Sequence, residues 1–158
     1  SDTNPASSGV VTAVFPATVA TPNLELTPSS QTVSVGAQGT VNIVVEDVTD
    51  LMTVEINLTF DPAILQYVPY SADEGSFWEP QGVLSLDAEV TAPGNLNIAL
   101  TTESENAKSG TGTILTVDFE RIAAGGTTVC FGTTVLLQPG TLPGAIIIHD
   151  KGGCCSFN

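Results

Sequence analysis

The stretch that decides the fold is Val35–Val68, which reads VGAQGTVNIVVEDVTDLMTVEINLTFDPAILQYV. Thr40–Glu46 is nearly all β-branched, and branched side chains fit a pleated strand. From Met52 to Phe60 apolar and polar residues alternate, which predicts a strand with one buried face. Asp61-Pro62 then predicts a turn that ends this strand. The stretch therefore predicts two long neighbouring strands of a sheet.

Further strand-like runs follow this stretch at regular spacing. They end at turn signals such as Gly125-Gly126 and Pro139-Gly140, and no segment shows sustained helical periodicity. The last run is expected at Ala145–His149. About nine strands, with a turn roughly every 8–12 residues, predict an all-β fold, a two-sheet antiparallel β-sandwich of jelly-roll type.

The composition limits the partners of such a domain. A chain of 158 residues suits one domain with a sizeable core. It has 17 acidic and three basic side chains, for a formal charge of −14. This field repels phosphate backbones and anionic lipid surfaces, so neither nucleic acid nor a membrane is expected as a partner. No apolar run reaches the ~20 residues that span a bilayer.

Several segments resemble the cohesin domain family. Beside residues 35–68, the segment GTGTILTVDFE at 110–120 resembles the late strand of that family, NLNIAL at 95–100 resembles the strand before it, and GGTTV at 125–129 resembles the next hairpin strand. The resemblance covers roughly residues 24–150. It implies a cohesin-like β-sandwich that holds other proteins, as a scaffold subunit or a dockerin receptor. Carbohydrate-binding modules share this sandwich, so polysaccharide is an alternative partner.

Residues 1–22 differ from the rest of the chain, because Asp2 is their single charge and they contain three prolines. They predict an N-terminal arm ahead of a sandwich at 23–150 and a Cys-containing tail at 151–158. The arm can lie along its own sheet, or add as a donor strand to a neighbour and build a homopolymeric surface filament. The residues expected to make that contact are Val10, Val11, Val14, Phe15 and Val19.

Four of the nine aromatic residues fall within 12 positions. Exposed rings near carboxylates would form a sugar platform or a protein-binding hot spot. Alternatively the loop buries its rings at one end of the sandwich, as a single Trp in such folds commonly does. The four residues are Tyr67, Tyr70, Phe77 and Trp78.

Acidic pairs in predicted loops offer a second kind of site. Calcium takes hard oxygen ligands, and short acidic loops supply them. The first candidates are Asp47, Asp50, Asp73 and Glu74, although none follows the spacing of an EF-hand. The alternative is a solvated acidic surface. No other metal or cofactor is expected.

An odd number of cysteines in an exported chain suggests one disulfide and one remaining thiol, although Cys130 can instead be a buried free thiol. Cys130 is expected to pair with Cys154 or Cys155, which leaves one thiol free or bridging two subunits. The chain opens on Ser1 rather than Met, as an exported protein does after signal-peptide removal. An extracellular or cell-surface location is therefore expected. Asn57-Leu58-Thr59 fits the acceptor pattern for glycosylation at Asn57.

Catalytic motifs are missing from the sequence. It has no G-x-S-x-G elbow, no H-E-x-x-H and no P-loop, and His149 is the single histidine. No pair of carboxylates stands out as an acid and base for glycoside hydrolysis. The sequence thus predicts a non-catalytic assembly module rather than an enzyme.

Overall fold

The computed structural model describes residues 21–140 and 144–158. Within these ranges the chain forms twelve β-strands and two short 3₁₀ turns, Ser76–Trp78 and Ser104–Asn106. The strands are β1 Asn23–Thr27, β2 Ser30–Gln31, β3 Gln38–Leu51, β4 Thr53–Thr59, β5 Leu65–Tyr67, β6 Asp73–Glu74, β7 Ser85–Ala92, β8 Asn95–Thr101, β9 Lys108–Arg121, β10 Thr127–Leu137, β11 Asp150–Lys151 and β12 Cys155–Phe157. None of the described helical segments is long and apolar enough to cross a membrane.

The strands form two sheets that pack face to face, so the predicted all-β sandwich is confirmed. The first sheet has the order β11-β1-β3-β9-β5, with β6 also paired to β9. The second sheet has the order β2-β12-β10-β4-β8-β7. Pairing is antiparallel except for the two-residue contacts of β1 with β11 and of β12 with β2. β2, β6 and β11 are only two residues long, too short to show alternation in the sequence, which is why the sequence predicted about nine strands.

The stretch that suggested the fold forms the centre of both sheets. β3 pairs with β9 from Gln38 opposite Glu120 to Leu51 opposite Lys108. β4 lies between β8 and β10, and its alternate side chains Val54, Ile56 and Leu58 are buried. The predicted turn is present, because the Ala63 N–H donates to Asp61 Oδ1 at 2.9 Å.

The C-terminal segment corrects two predictions. Ala145–His149 is not a strand, and its one ladder contact is a bridge between Leu137 and Ile146. Residues 151–158 are not a separate tail either. β11 extends the first sheet beside β1, and β12 inserts between β2 and β10 of the second. Cys155 and Phe157 are both fully buried there, so this segment belongs to the sandwich.

The two sheets therefore have two unlike margins. At the closed margin, made of β1, β2, β11 and β12, the chain passes from the first sheet to the second between β1 and β2 and again between β11 and β12. At the open margin, β5 ends the first sheet and β7 ends the second. In the described part of the chain, each of these two strands has a neighbour on one side only.

Candidate functional site

A groove of about 600 Å³ runs along the open margin. Tyr67, Pro69 and Tyr70 line it from the β5 side, and β7 lines it from the other. Because β7 pairs only with β8 among the described strands, its other backbone edge faces outward with free N–H and C=O groups. The lining residues of β7 are Leu86, Asp87, Ala88, Glu89 and Val90.

The apolar side chains of this groove alternate along β7. Leu86 and Ala88 are half-buried and pack against the core, whereas Val90 keeps 45% of its surface exposed. Residues two apart share a face of a strand, so these three side chains point the same way. The sequence analysis did not identify this surface, although Leu86, Ala88 and Val90 alternate with polar residues in the sequence.

Tyr70 stands at the lip of the groove and is fully exposed. Its backbone has φ of 64°, the left-handed region that bulky residues rarely adopt. The next residue holds the turn, because the Ser71 N–H donates to Val68 O at 3.1 Å and Ser71 Oγ accepts from the Asp118 N–H at 3.0 Å. An exposed aromatic ring on a strained turn is the kind of feature found at functional sites.

The other three predicted aromatic residues are buried, so the four rings do not form one exposed platform. Phe77 and Trp78 are 7% and 1% exposed, and their rings pack edge to face at 5.0 Å. The Trp78 indole N–H donates to Ile114 O at 2.8 Å. Tyr67 is 7% exposed and packs against Phe119. The interpretation in which the loop buries its rings therefore applies to three residues of the four.

The four acidic candidates lie apart as two pairs on opposite sides of β9, the first pair on β3 and the second on β6. Asp47 and Asp50 occupy bulges of β3, where their N–H groups donate to the side-chain oxygens of Thr111 and Ser109. Asp73 and Glu74 instead pair with β9 near Thr116, about 15 Å further along that strand.

Glu74 makes a contact of its own, because its Oε2 accepts from the Val83 N–H at 2.7 Å. Across residues 21–140 and 144–158, no three His, Cys, Asp or Glu side chains come together as metal ligands. The structure therefore does not assemble the predicted calcium site from these four carboxylates.

Asn57 lies on a central strand of the second sheet, with β8 on one side and β10 on the other. Its side-chain amide donates to Asn97 Oδ1 on β8. Gly132 of β10 lies so close that a Cβ there would sit 2.1 Å from Asn57 Oδ1. An amide held between two neighbouring strands offers a poor acceptor for the predicted glycan.

The outer face of the second sheet is the other broad surface near this position. A shallow depression of about 330 Å³ on it includes Glu55, Asn57, Asn97, Thr133 and Val135 in its lining. Glu55 is the one charged side chain among the residues of β4 and β8. In a chain of net charge −14, the centre of this face is unusually neutral.

Of the two adjacent cysteines near the C-terminus, Cys154 forms a disulfide and Cys155 is a free thiol. Of the pairings that the sequence left open, the structure contains Cys130–Cys154. Because side chains alternate across a strand, Cys155 points the other way and is fully buried. Burial raises the pKa of its thiol, and a hydrogen bond from Gln31 Nε2 opposes that shift. A buried thiol does not fit the predicted bridge between subunits.

The predicted arm residues Val10, Val11, Val14, Phe15 and Val19 lie outside the described residues. The described chain begins at Thr21, next to β1 at the closed margin. Thr21 and Pro22 border a second groove of about 600 Å³ there, together with Ile146 and Ile148. Those two isoleucines are 66% and 80% exposed.

Comparison with known proteins identifies the family. The model of the cohesin domain matches residues 24–142. This chain belongs to the cohesin domain family. Cohesin domains are non-catalytic modules of protein–protein interaction, and they are typical of extracellular cellulosome scaffoldins. A comparison with curated proteins gave no match.

Solved cohesins share the fold at low sequence identity. A type II cohesin from the cellulosome of Acetivibrio cellulolyticus is 21% identical, with a TM-score of 0.70 over 88% of this chain and 96% of that one. A non-cellulosomal cohesin from the hyperthermophilic archaeon Archaeoglobus fulgidus is 16% identical, with a TM-score of 0.68 over 88% and 92%. The sixth cohesin of A. cellulolyticus scaffoldin B, solved in complex with a mutant dockerin, is 17% identical, with a TM-score of 0.69 over 88% and 99%.

Proposed function

We propose that this cohesin is an exported, non-catalytic module that assembles with other chains, including copies of itself, through its N-terminal arm. The observation that carries the proposal is the open margin. Proteins normally protect a free edge strand, because its unpaired backbone groups recruit other strands. Here the eight-residue β7 keeps such an edge beside an apolar groove and the exposed Tyr70.

The absence of catalysis is supported by the arrangement of reactive groups. Within residues 21–140 and 144–158 no cluster of three His, Cys, Asp or Glu side chains forms. The single histidine, His149, places Nε2 2.6 Å from Thr134 Oγ1 and Nδ1 3.1 Å from Ile147 O. Its ring thus contacts a hydroxyl and a backbone carbonyl, and neither of them activates it as a general base.

Export is supported by the disulfide. Cys130–Cys154 joins β10 to the residue that precedes β12, and Cys154 is exposed. Disulfides of this kind persist in oxidising compartments and are rare in the cytosol. The cell exterior is therefore the proposed location.

Deleting residues 1–20 tests self-assembly. We expect the truncated chain to keep the folded sandwich, because every described strand lies after residue 20. Light scattering after gel filtration should then give a monomer, whereas the full chain should give larger species. Assembly of the truncated chain at the same concentration would refute the arm as the donor.

A second candidate is a receptor for a dockerin partner, on the outer face of the second sheet. Three similar structures are complexes with dockerins, and here the centre of that face carries Glu55 as its single charge. We expect Asn57→Arg to abolish binding to purified dockerin modules in calorimetry. Asn42→Arg, on the outer face of the first sheet, is the matched control. Equal loss in both variants would exclude the second sheet as the specific receptor face.

Carbohydrate binding is the weaker alternative. Sugar platforms stack the ligand on exposed rings. Of the four predicted residues, Tyr67, Phe77 and Trp78 are buried, which leaves Tyr70 alone. We therefore expect no retention of the chain on insoluble polysaccharide, and retention that Tyr70→Ala abolishes would restore this alternative.

A further inference from the structure

We infer that the groove at the open margin is the acceptor site for residues 9–15 of a second copy, which add to β7 as an extra strand. The inference rests on the proposed self-assembly and names its docking site, register and partner. Four features of the chain support it: the charge distribution, the length of the edge, the alternation of the arm and the position of Thr21.

Charge favours the arm over any other part of a neighbouring copy. Asp2 is the one acidic residue before Glu25, and the other 16 of 17 lie in the sandwich, so two sandwiches repel each other. The groove lining adds Asp87 and Glu89 and no cation. Residues 3–24 contain no charged side chain. An uncharged strand can therefore approach this acidic edge without like-charge repulsion.

The edge and the arm match in length. β7 offers eight residues, Ser85–Ala92, and the arm offers the seven residues 9–15, which precede Pro16. Proline lacks the N–H that a strand ladder needs, so Pro16 ends the added strand. Strand addition uses backbone hydrogen bonds for affinity and places alternate side chains in pockets.

Alternation selects one face of the arm. If residues 9–15 add as a strand, Val11, Ala13 and Phe15 share one face and are all apolar, whereas the opposite face includes the polar Thr12. We place the apolar face against the groove, toward Leu86, Ala88 and Val90. Tyr70, held fully exposed at the groove lip, is then positioned to cover the added strand.

The position of Thr21 indicates that the arm in the groove comes from a second copy rather than from the same chain. Thr21 leaves the sandwich beside β1, while the groove lies at the opposite margin beyond β3, β9 and β5. The chain cannot pass through the core, and a path over the surface that crosses three strand spacings and one sheet spacing is roughly 24 Å long. The six residues from Phe15 to Thr21 span at most about 20 Å. Donor and acceptor on opposite margins give a head-to-tail contact that continues as a filament.

Cysteine cross-linking tests the site. A full chain with Phe15→Cys is mixed with a full chain carrying Val90→Cys and oxidised mildly. Cys155 is buried and the other two native cysteines are paired, so the new thiols are the reactive ones. We expect a covalent dimer of twice 16.2 kDa. Two control mixtures should give little covalent dimer: Phe15→Cys with Ser34→Cys in the loop between β2 and β3, and Thr12→Cys with Val90→Cys.

Variants of the groove separate this inference from the proposed function. Val90→Asp and Tyr70→Ala should raise the concentration needed for assembly by at least about tenfold, with an unchanged circular dichroism spectrum. If both assemble like the parent while deletion of residues 1–20 abolishes assembly, the arm docks elsewhere and the groove is refuted. If the deletion still assembles, both proposals fail. A cross-link confined to monomers of the double variant Phe15→Cys/Val90→Cys would refute the second copy as the partner.

Discussion

The two margins of this sandwich differ in whether their edge strands are covered by other parts of the chain. At the closed margin, β12 lies between β2 and β10, and both Cys155 and Phe157 are fully buried. At the open margin, Tyr70 is fully exposed, and Leu84 and Val90 expose 66% and 45% of their surfaces. One margin hides its edge behind the chain's own C-terminal segment, while the other leaves its edge unpaired.

The difference separates stability from binding. The C-terminal segment contributes apolar burial, ladder hydrogen bonds and a disulfide, and all three favour the folded state. At the open margin, the exposed side chains of Tyr70 and Val90 make few such contacts, so they contribute little to folding. A free edge beside an apolar groove is a surface on which another chain can form the backbone hydrogen bonds and apolar contacts that the sandwich itself does not make. Substitutions at the two margins should therefore affect different measurements.

The largest expected effect is that of Phe157→Ala at the closed margin. The Phe157 ring packs edge to face with Phe119 at 6.3 Å and lies over Gly39, where a Cβ would come within 2.9 Å of it. Removing a fully buried ring leaves a cavity and costs about 3–5 kcal/mol of the free energy of unfolding. Urea denaturation measures this loss directly. A loss under about 1 kcal/mol would show that β12 is not integral to the core.

The second largest effect on stability is expected from the double substitution Cys130→Ser with Cys154→Ser, which removes the disulfide. The bond spans a sequence separation of 24 residues, and a loop of that size stabilises by about 3 kcal/mol. We expect the double variant to lose about that much in urea denaturation. Reducing agent should destabilise the parent by a similar amount and leave the double variant unchanged. If reductant shifts both proteins equally, the bond does not explain the stability of the closed margin.

Alternation and turn signals were enough to predict the sandwich, because the central strands have one buried face. Val54, Ile56 and Leu58 show this in β4, and their burial followed directly from the sequence. Strands without alternation were missed. β11 is Asp150–Lys151, two exposed polar residues whose strand character comes only from pairing with β1. β12 is three residues long and was taken for a tail.

The candidate site was less predictable, since it depends on which strands end the sheets. The sequence indicated an aromatic loop, but only the fold determines that Trp78 turns inward while Tyr70 faces solvent. It also left Cys154 and Cys155 equivalent as partners of Cys130. The opposite faces of adjacent strand residues distinguish them once β12 is placed beside β10.

A third, smaller effect concerns pH at the closed margin. Burial raises the pKa of the Cys155 thiol above its usual 9.0, so the folded chain keeps this proton where the unfolded chain loses it. Stability from this group is complete below pH 9.0 and falls as the pH rises toward the folded-state pKa. The slope is at most about 1.4 kcal/mol per pH unit.

Urea denaturation of the parent and of Cys155→Ala, repeated at intervals above that pH, measures this slope. The difference in unfolding free energy between the two proteins should shrink as the pH rises. A difference that stays constant with pH would mean that Cys155 contributes packing alone, without a titration effect.

The smallest expected effect on the free energy of unfolding is that of substitutions at Tyr70 of the open margin. Tyr70→Ala removes a fully exposed ring and should change the free energy of unfolding by less than about 0.5 kcal/mol. Tyr70→Gly removes the same ring and also the strain of φ at 64°, so it should be more stable than Tyr70→Ala by about 0.5–1 kcal/mol. Thermal melting of the monomeric truncation from residue 21 compares the three proteins without assembly. If Tyr70→Ala instead costs as much as a core substitution, the ring is part of the fold, and its exposure no longer indicates a surface kept for a partner.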